Sequence, residues 1–136
     1  MIAELLALVV CTVMQTGAME TIVRDNMSGV EDASQTVAKT EAEWSKLWRA
    51  HNPVAPMPKV DFNTRMVAAV FLGTRPSAGY SVEITGTKAA GKTLVVEWRE
   101  FPPKPGHLSA QVLTSPAHLV TIPKFDGEVK FQKVDR

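Results

Sequence analysis

The groups in this 136-residue sequence that could do chemistry are few, and they are poorly spaced for it. His51, His107 and His118 are the natural candidates for catalysis or metal binding, yet none forms a HxxxH or HExxH pair, so no short ligand spacing is present. His51 reads as a helix C-terminal residue satisfied locally, His107 as a loop residue and His118 as a strand residue. Cys11 is the single cysteine, which excludes an internal disulfide, a thiolate metal site and a CxxC pair. A serine nucleophile would need an elbow such as GxSxG, and Thr74-Arg75-Pro76-Ser77-Ala78-Gly79 lacks the first glycine, so Ser77 is expected to serve loop geometry. Gly86 to Thr93 misses the spacings of both GxGxxG and GxxxxGK[ST] and reads as a hairpin turn. Glu83 and Glu97 fall on the wet faces of adjoining strands and need no acid–base role to explain them. No reaction, no cofactor and no metal is therefore expected.

Charge gives no partner either. Lys and Arg number 15 against 14 Asp and Glu, and a formal charge of +1 leaves no footprint for nucleic acid and no polybasic membrane signal. With 45% hydrophobic residues, a chain of this length supports one cored domain.

The elements that must position these residues follow from patterning. Leu5 to Met14 is a nearly unbroken apolar run, half of what a spanning helix needs, followed by Thr16-Gly17-Ala18. It has the length of a signal-peptide core with small residues at the cleavage positions, so Met1–Ala18 is read as a signal peptide. The alternative is an apolar N-terminal helix packed on the domain, because Met1-Ile2-Ala3-Glu4 carries an acid and no base. Val10 precedes Cys11 where a lipoprotein signal wants a small residue, so a lipid anchor is not expected. Cleavage after Ala18 leaves a cysteine-free exported domain over residues 19–136, in the periplasm, on the cell surface or secreted.

Glu20 to Arg24 is β-branched and turn-bounded, and reads as a first strand. A helix starts at Thr40, with Glu43 placed to reach back as in a capping box, and Trp44, Leu47, Trp48 and His51 share one face. Asn52-Pro53 ends it, and Val54 to Pro58 is an extended connector. Met66 to Leu72 is apolar on both faces, as in a strand covered on both sides. Tyr80 to Thr85 and Leu94 to Arg99 alternate across a turn at Ala90-Gly91-Lys92, which predicts a hairpin. Phe101 to Gly106 is a proline-rich loop, and further strands are expected at Leu108–Leu113, Ala117–Ile122 and Val129–Val134. The pattern predicts an α+β domain: one amphipathic helix packed on a mainly antiparallel sheet or small β-sandwich.

The string from Met66 to Ile84 resembles the signature of the protease complex subunit PrcB family in its C-terminal domain. There an apolar strand runs into a Gly-x-x-Pro-small-small-Gly-Tyr loop and a second strand, matched here by Gly73 to Tyr80. The likeness continues through Leu94-Val95-Val96, Pro102 to Gly106 and Gln111 to Lys124, and upstream at Glu43-Trp44 and Leu47-Trp48. Ala78-Gly79 stands where the family has two glycines. The resemblance implies an exported noncatalytic protein-interaction domain, an accessory subunit of a cell-surface or envelope protease complex. A remoter likeness is to chagasin-type protease inhibitors, which present a Pro-small-small-Gly-aromatic loop. It implies an alternative, inhibition through residues 74–80, although the leading asparagine and the later Arg-Pro-Trp loop are missing.

The residues of that loop support a site without the family. Proline fixes φ, glycine gives backbone freedom, and Tyr80 opens a strand where its ring lies on the sheet edge. One reading makes this a structural turn with a core tyrosine. The other makes Arg75, Pro76, Ser77, Gly79 and Tyr80, with Pro103 and Lys104 beside them, the edge that meets a protein partner, a protease among the candidates. Arg75 would supply an ionic or bidentate contact and Pro76 would hold the loop in shape.

Overall fold

The computed structural model describes residues 19–106 and 108–135, so the expected signal peptide with Cys11, and His107, lie outside the described residues. Among the described residues, seven strands and one helix follow in the order β1 (Glu20–Asp25), β2 (Ser34–Ala38), α1 (Glu41–His51), β3 (Arg65–Phe71), β4 (Ser81–Ala90), β5 (Thr93–Phe101), β6 (Ala117–Pro123) and β7 (Glu128–Lys133). They form a four-stranded sheet of order β1-β6-β3-β2 and a three-stranded sheet of order β4-β5-β7. The architecture is broadly α+β. Every pairing is antiparallel except β5–β7, which is parallel and makes the second sheet mixed.

The double apolar character of β3 has a direct explanation. Met66, Ala68 and Val70, with Leu72, join Val120 and Ile122 and meet Val82, Ile84, Leu94, Val96 and Trp98 of the other sheet in one core. Val67, Ala69 and Phe71 point the opposite way and cluster with Leu119, Trp44 and Trp48. Side chains alternate along a strand, so a strand with burial on both faces must be apolar throughout.

Thr40 caps α1, its hydroxyl accepting the Glu43 amide at 3.2 Å. Glu43 reaches back one residue further than a capping box would have it, accepting the Lys39 amide at 2.8 Å. The C-terminal end is closed by Asn52, whose Oδ1 accepts the amides of Val54 and Ala55. This bends the connector under the helix, where the Trp44 and Trp48 indoles donate to the carbonyls of Pro58 (2.9 Å) and Ala55 (3.0 Å).

The β4–β5 hairpin turns through Gly91 and Lys92. Gly91 has φ 64 while Lys92 does not have positive φ, the φ signs of a type II′ turn with glycine first.

One expectation needs correction, and one strand had no signal. Leu108–Leu113 is not a strand: Leu108, Val112 and Leu113 are exposed, and strand-like pairing begins only at Thr114, bridged to Arg75. The alternation there meets no sheet edge, and backbone groups of the segment are taken by a loop instead. Conversely β2 carried no clear signal, because Ser34-Gln35-Thr36 is polar and the strand lies at a sheet edge with one pairing partner.

Candidate functional site

Residues 72–80 leave the centre of the first sheet and are tied down at almost every step. The Leu72 amide donates to Pro116 O, and the Thr74 amide to Glu31 O. Between them Gly73 has φ 81, and a Cβ there would lie 2.8 Å from the Ala33 amide nitrogen, so both conformation and space require glycine. Arg75 and Thr114 exchange both backbone hydrogen bonds, at 2.8 and 2.9 Å. Ser77 is buried, its carbonyl accepting the Thr114 hydroxyl, and the Ala78 amide donates to Ala110 O. The loop is thus held by Ala110, within the segment expected to be a strand, and by Thr114 just after it.

The guanidinium of Arg75 is engaged within the chain. Nε and Nη2 donate to the two carboxylate oxygens of Glu100 at 2.9 and 3.2 Å, while Nη1 donates to the carbonyls of Leu72 and Thr74. The carbon at its centre stands 5.9 Å over the Tyr80 ring. The hydrogen bond between them holds the Glu100 carboxyl below its usual range and raises the Arg75 pKa. Lys133 adds a second cation to Glu100 at 3.2 Å. Exposed on this loop are Thr74, Pro76 and Ala78, with Tyr80 half-buried.

Pairing of Ser81 with Phe101 puts the 101–106 loop at the same end of the hairpin as residues 74–80. The two meet at Gly79, where a Cβ would come within 2.5 Å of Ser109 Oγ and 2.7 Å of the Pro103 ring. Between them opens a cleft of about 390 Å³ bounded by Arg24, Gly79, Phe101, Pro103, Lys104 and Leu108. Gly79, Pro103 and Lys104 line it; Arg75, Pro76, Ser77 and Tyr80 do not, and belong to the adjoining loop. Arg24 had no signal in the sequence, being one base in a β-branched strand, and only the meeting of the two sheets brings it here.

Both described histidines are buried, and both serve as junctions. His118 Nδ1 accepts the Ile84 amide at 2.8 Å, which leaves Nε2–H to donate to Thr21 Oγ1 at 2.9 Å. Burial lowers its pKa to about 4, with the nearby Arg24 charge acting the same way. His51 Nδ1 lies 2.8 Å from Ser28 Oγ, with Nε2 unbonded and 4.0 Å from Asp25 Oδ2. Burial lowers the His51 pKa, against a smaller opposing effect of Asp25. Ser28, His51 and Asp25 follow one another in space, but the serine meets Nδ1 rather than Nε2, Asp25 makes no hydrogen bond to the ring, and Ser28 and His51 are 6% and 2% exposed, so this is not a catalytic relay geometry. Their contact ties the segment after β1 to the last turn of α1. Among the described residues no group of three or more His, Cys, Asp or Glu is arranged to hold a metal ion, and no helix is long and apolar enough to cross a membrane.

Residues 66–123 match the family model described as PrcB C-terminal. The matched span runs from β3 to the end of β6 and contains both loops of the cleft, while α1 lies outside it. No curated protein and no solved structure gives a significant match to the chain.

Proposed function

We propose, from the premise that residues 66–123 carry the PrcB C-terminal pattern, that the chain is an exported, noncatalytic protein-interaction domain serving as accessory subunit of an envelope protease complex. The observation that carries this reading is the joining of residues 74–80 and 101–106 into one braced edge around an open cleft. A loop whose backbone is already fixed loses little entropy on docking, and exposed prolines add apolar contact without new flexibility. In this reading Arg75 shapes the loop through Glu100, and the partner meets Pro76, Ala78 and Tyr80 together with Pro103 and Lys104. The amphipathic helix is scaffold, its tryptophan face packed on the sheet behind β3 and away from the cleft. Export rests on the apolar run and small residues before Met19, so the chain recovered from an envelope fraction should have the intact mass of residues 19–136.

The test is crosslinked capture from that fraction with wild type and Ala78→Glu, which places a charged side chain on an exposed position of the loop. Loss of the captured protease partner with retained folding is expected. Equal capture by both proteins would remove the loop from the interface. Dose-dependent inhibition of a papain-like protease by the wild type, lost in Ala78→Glu, would replace the accessory reading by the inhibitor one.

A further inference from the structure

The cleft lies where the terminal strands of the two sheets meet, β1 of the first and β4 of the second. The charged residues among its lining are Arg24 and Lys104, both cationic. Lys104 is exposed and has no partner among the described residues. Arg24 spends Nε on Val82 O at 2.9 Å, and its Nη1 reaches Glu83 at only 4.0 Å with both side chains 41% exposed, a contact too long and too wet to neutralise it. Arg99, stacked 4.3 Å over the Phe101 ring, adds positive charge behind the wall. Glu100, next to the wall residue Phe101 in the chain, is committed to Arg75 and Lys133.

The wall itself is apolar and has few donors. Pro102 and Pro103 have no N–H, so that stretch of the wall offers no backbone donor, and Ser81 and Ser109 add hydroxyls to the lining. The charges available to an anion here are the side chains of Arg24 and Lys104. Leu108 on the rim is wholly exposed, and the same segment exposes Val112 and Leu113 at 44% and 66%. Exposed apolar side chains on the segment that follows the cleft suit a length of polypeptide better than a small molecule.

We propose that the cleft reads an acidic side chain carried on an extended aliphatic stretch of the protein partner. Its carboxylate sits with Arg24 and Lys104, and the neighbouring apolar side chain lies on Pro103 and Leu108. This rests on the interaction reading above and adds the chemistry of what is recognised.

The experiment pans a random heptapeptide phage library, displayed without free C-termini, on the full chain. Enriched sequences are then measured by fluorescence anisotropy as amidated peptides against wild type, Lys104→Glu and Leu108→Ser. Both substitutions lie at exposed positions and leave the fold intact. Expected are sequences with Asp or Glu beside Leu, Ile, Val or Pro, binding about tenfold weaker or more to Lys104→Glu and when their own acid is replaced by its amide, and weakened by salt. No enrichment of acids, no enriched peptide at all, or affinity indifferent to Lys104→Glu would overturn the proposal, as would binding that requires a free C-terminal carboxylate. If partner capture is lost with Ala78→Glu while Lys104→Glu captures normally, only the acidic preference falls. If capture survives Ala78→Glu as well, the interaction reading falls with it.

Discussion

His118 does at one position what a strand would otherwise do. Its neutral ring accepts an amide from β4 and donates to β1, so a proton on Nδ1 breaks the first bond and charges a buried group. The folded pKa of about 4 lies below the ordinary 6.5, so the unfolded chain takes up the proton first as pH falls. Stability is therefore full above about pH 6.5 and declines between there and pH 4, by up to about 3 kcal/mol from this residue. Urea unfolding at pH 7 and pH 5 should show about 2 kcal/mol of that loss in the wild type, and His118→Gln should show a smaller one; equal pH dependence in both proteins would contradict the assignment. Arg75 makes a different point at the same scale. Its two-pronged bond to Glu100 and its bonds to two carbonyls need a planar fork, so Arg75→Lys keeps the charge and still should cost about 1–3 kcal/mol. Thermal denaturation of Arg75→Lys at neutral pH checks it. The sequence pointed to Arg75 as an ionic or bidentate contact for a protein partner, whereas its fork is taken by Glu100 of the same chain, which is 25 residues away on another strand and left no local signal.

Among elements, α1 was the most readable and its surroundings the least. Capping by Thr40 and the spacing of Trp44, Leu47, Trp48 and His51 are local properties, and the helix runs over Glu41–His51. What receives the indole N–H groups was hidden, since it depends on the connector folding back after Asn52. Trp44 is 0% and Trp48 6% exposed, so Trp48→Ala should cost about 3–5 kcal/mol, and Trp44→Phe should cost less while orphaning the Pro58 carbonyl. Chemical denaturation followed by circular dichroism measures both; an unchanged midpoint for Trp48→Ala would place that ring outside the core. The segment Leu108–Leu113 shows the opposite case. Its alternation looks like a strand, but a strand is a relation between two chains, and here the neighbour is a loop that takes one amide bond at Ala110 and a bridge at Thr114.

At the scale of the whole molecule the two sheets share a core and are also stitched along an edge. β4 is a terminal strand, and unpaired edge groups invite pairing with other chains. Arg24 takes the Val82 carbonyl and His118 the Ile84 amide, so side chains of one sheet close the outer edge of the other. Hydrogen exchange should find the Ile84 amide as protected as amides inside the β4–β5 ladder, and strongly deprotected in His118→Ala. Gly79 joins the two loops on the same edge. Gly79→Ala forces a methyl against Ser109 and Pro103, should cost about 1–3 kcal/mol and should shift amide resonances in both loops; shifts confined to one loop would mean that the two are not packed together.

Sequence alone determined what short-range chemistry can encode: the capped helix, the doubly apolar β3, the glycine-turned hairpin and the proline–glycine shape of residues 73–80. It also determined the adjacency of the two loops, because hairpin pairing follows from alternation around a turn. Tertiary structure alone decided the parallel seat of β7, the edge strand β2, the pairing of Arg75 with Glu100, and the arrival of Arg24 beside Lys104 across 80 positions of chain. The physical reason is range. Capping, turns and periodicity act within a few residues, whereas ion pairs, sheet edges and the walls of a cleft are set by which surfaces meet once the core has closed.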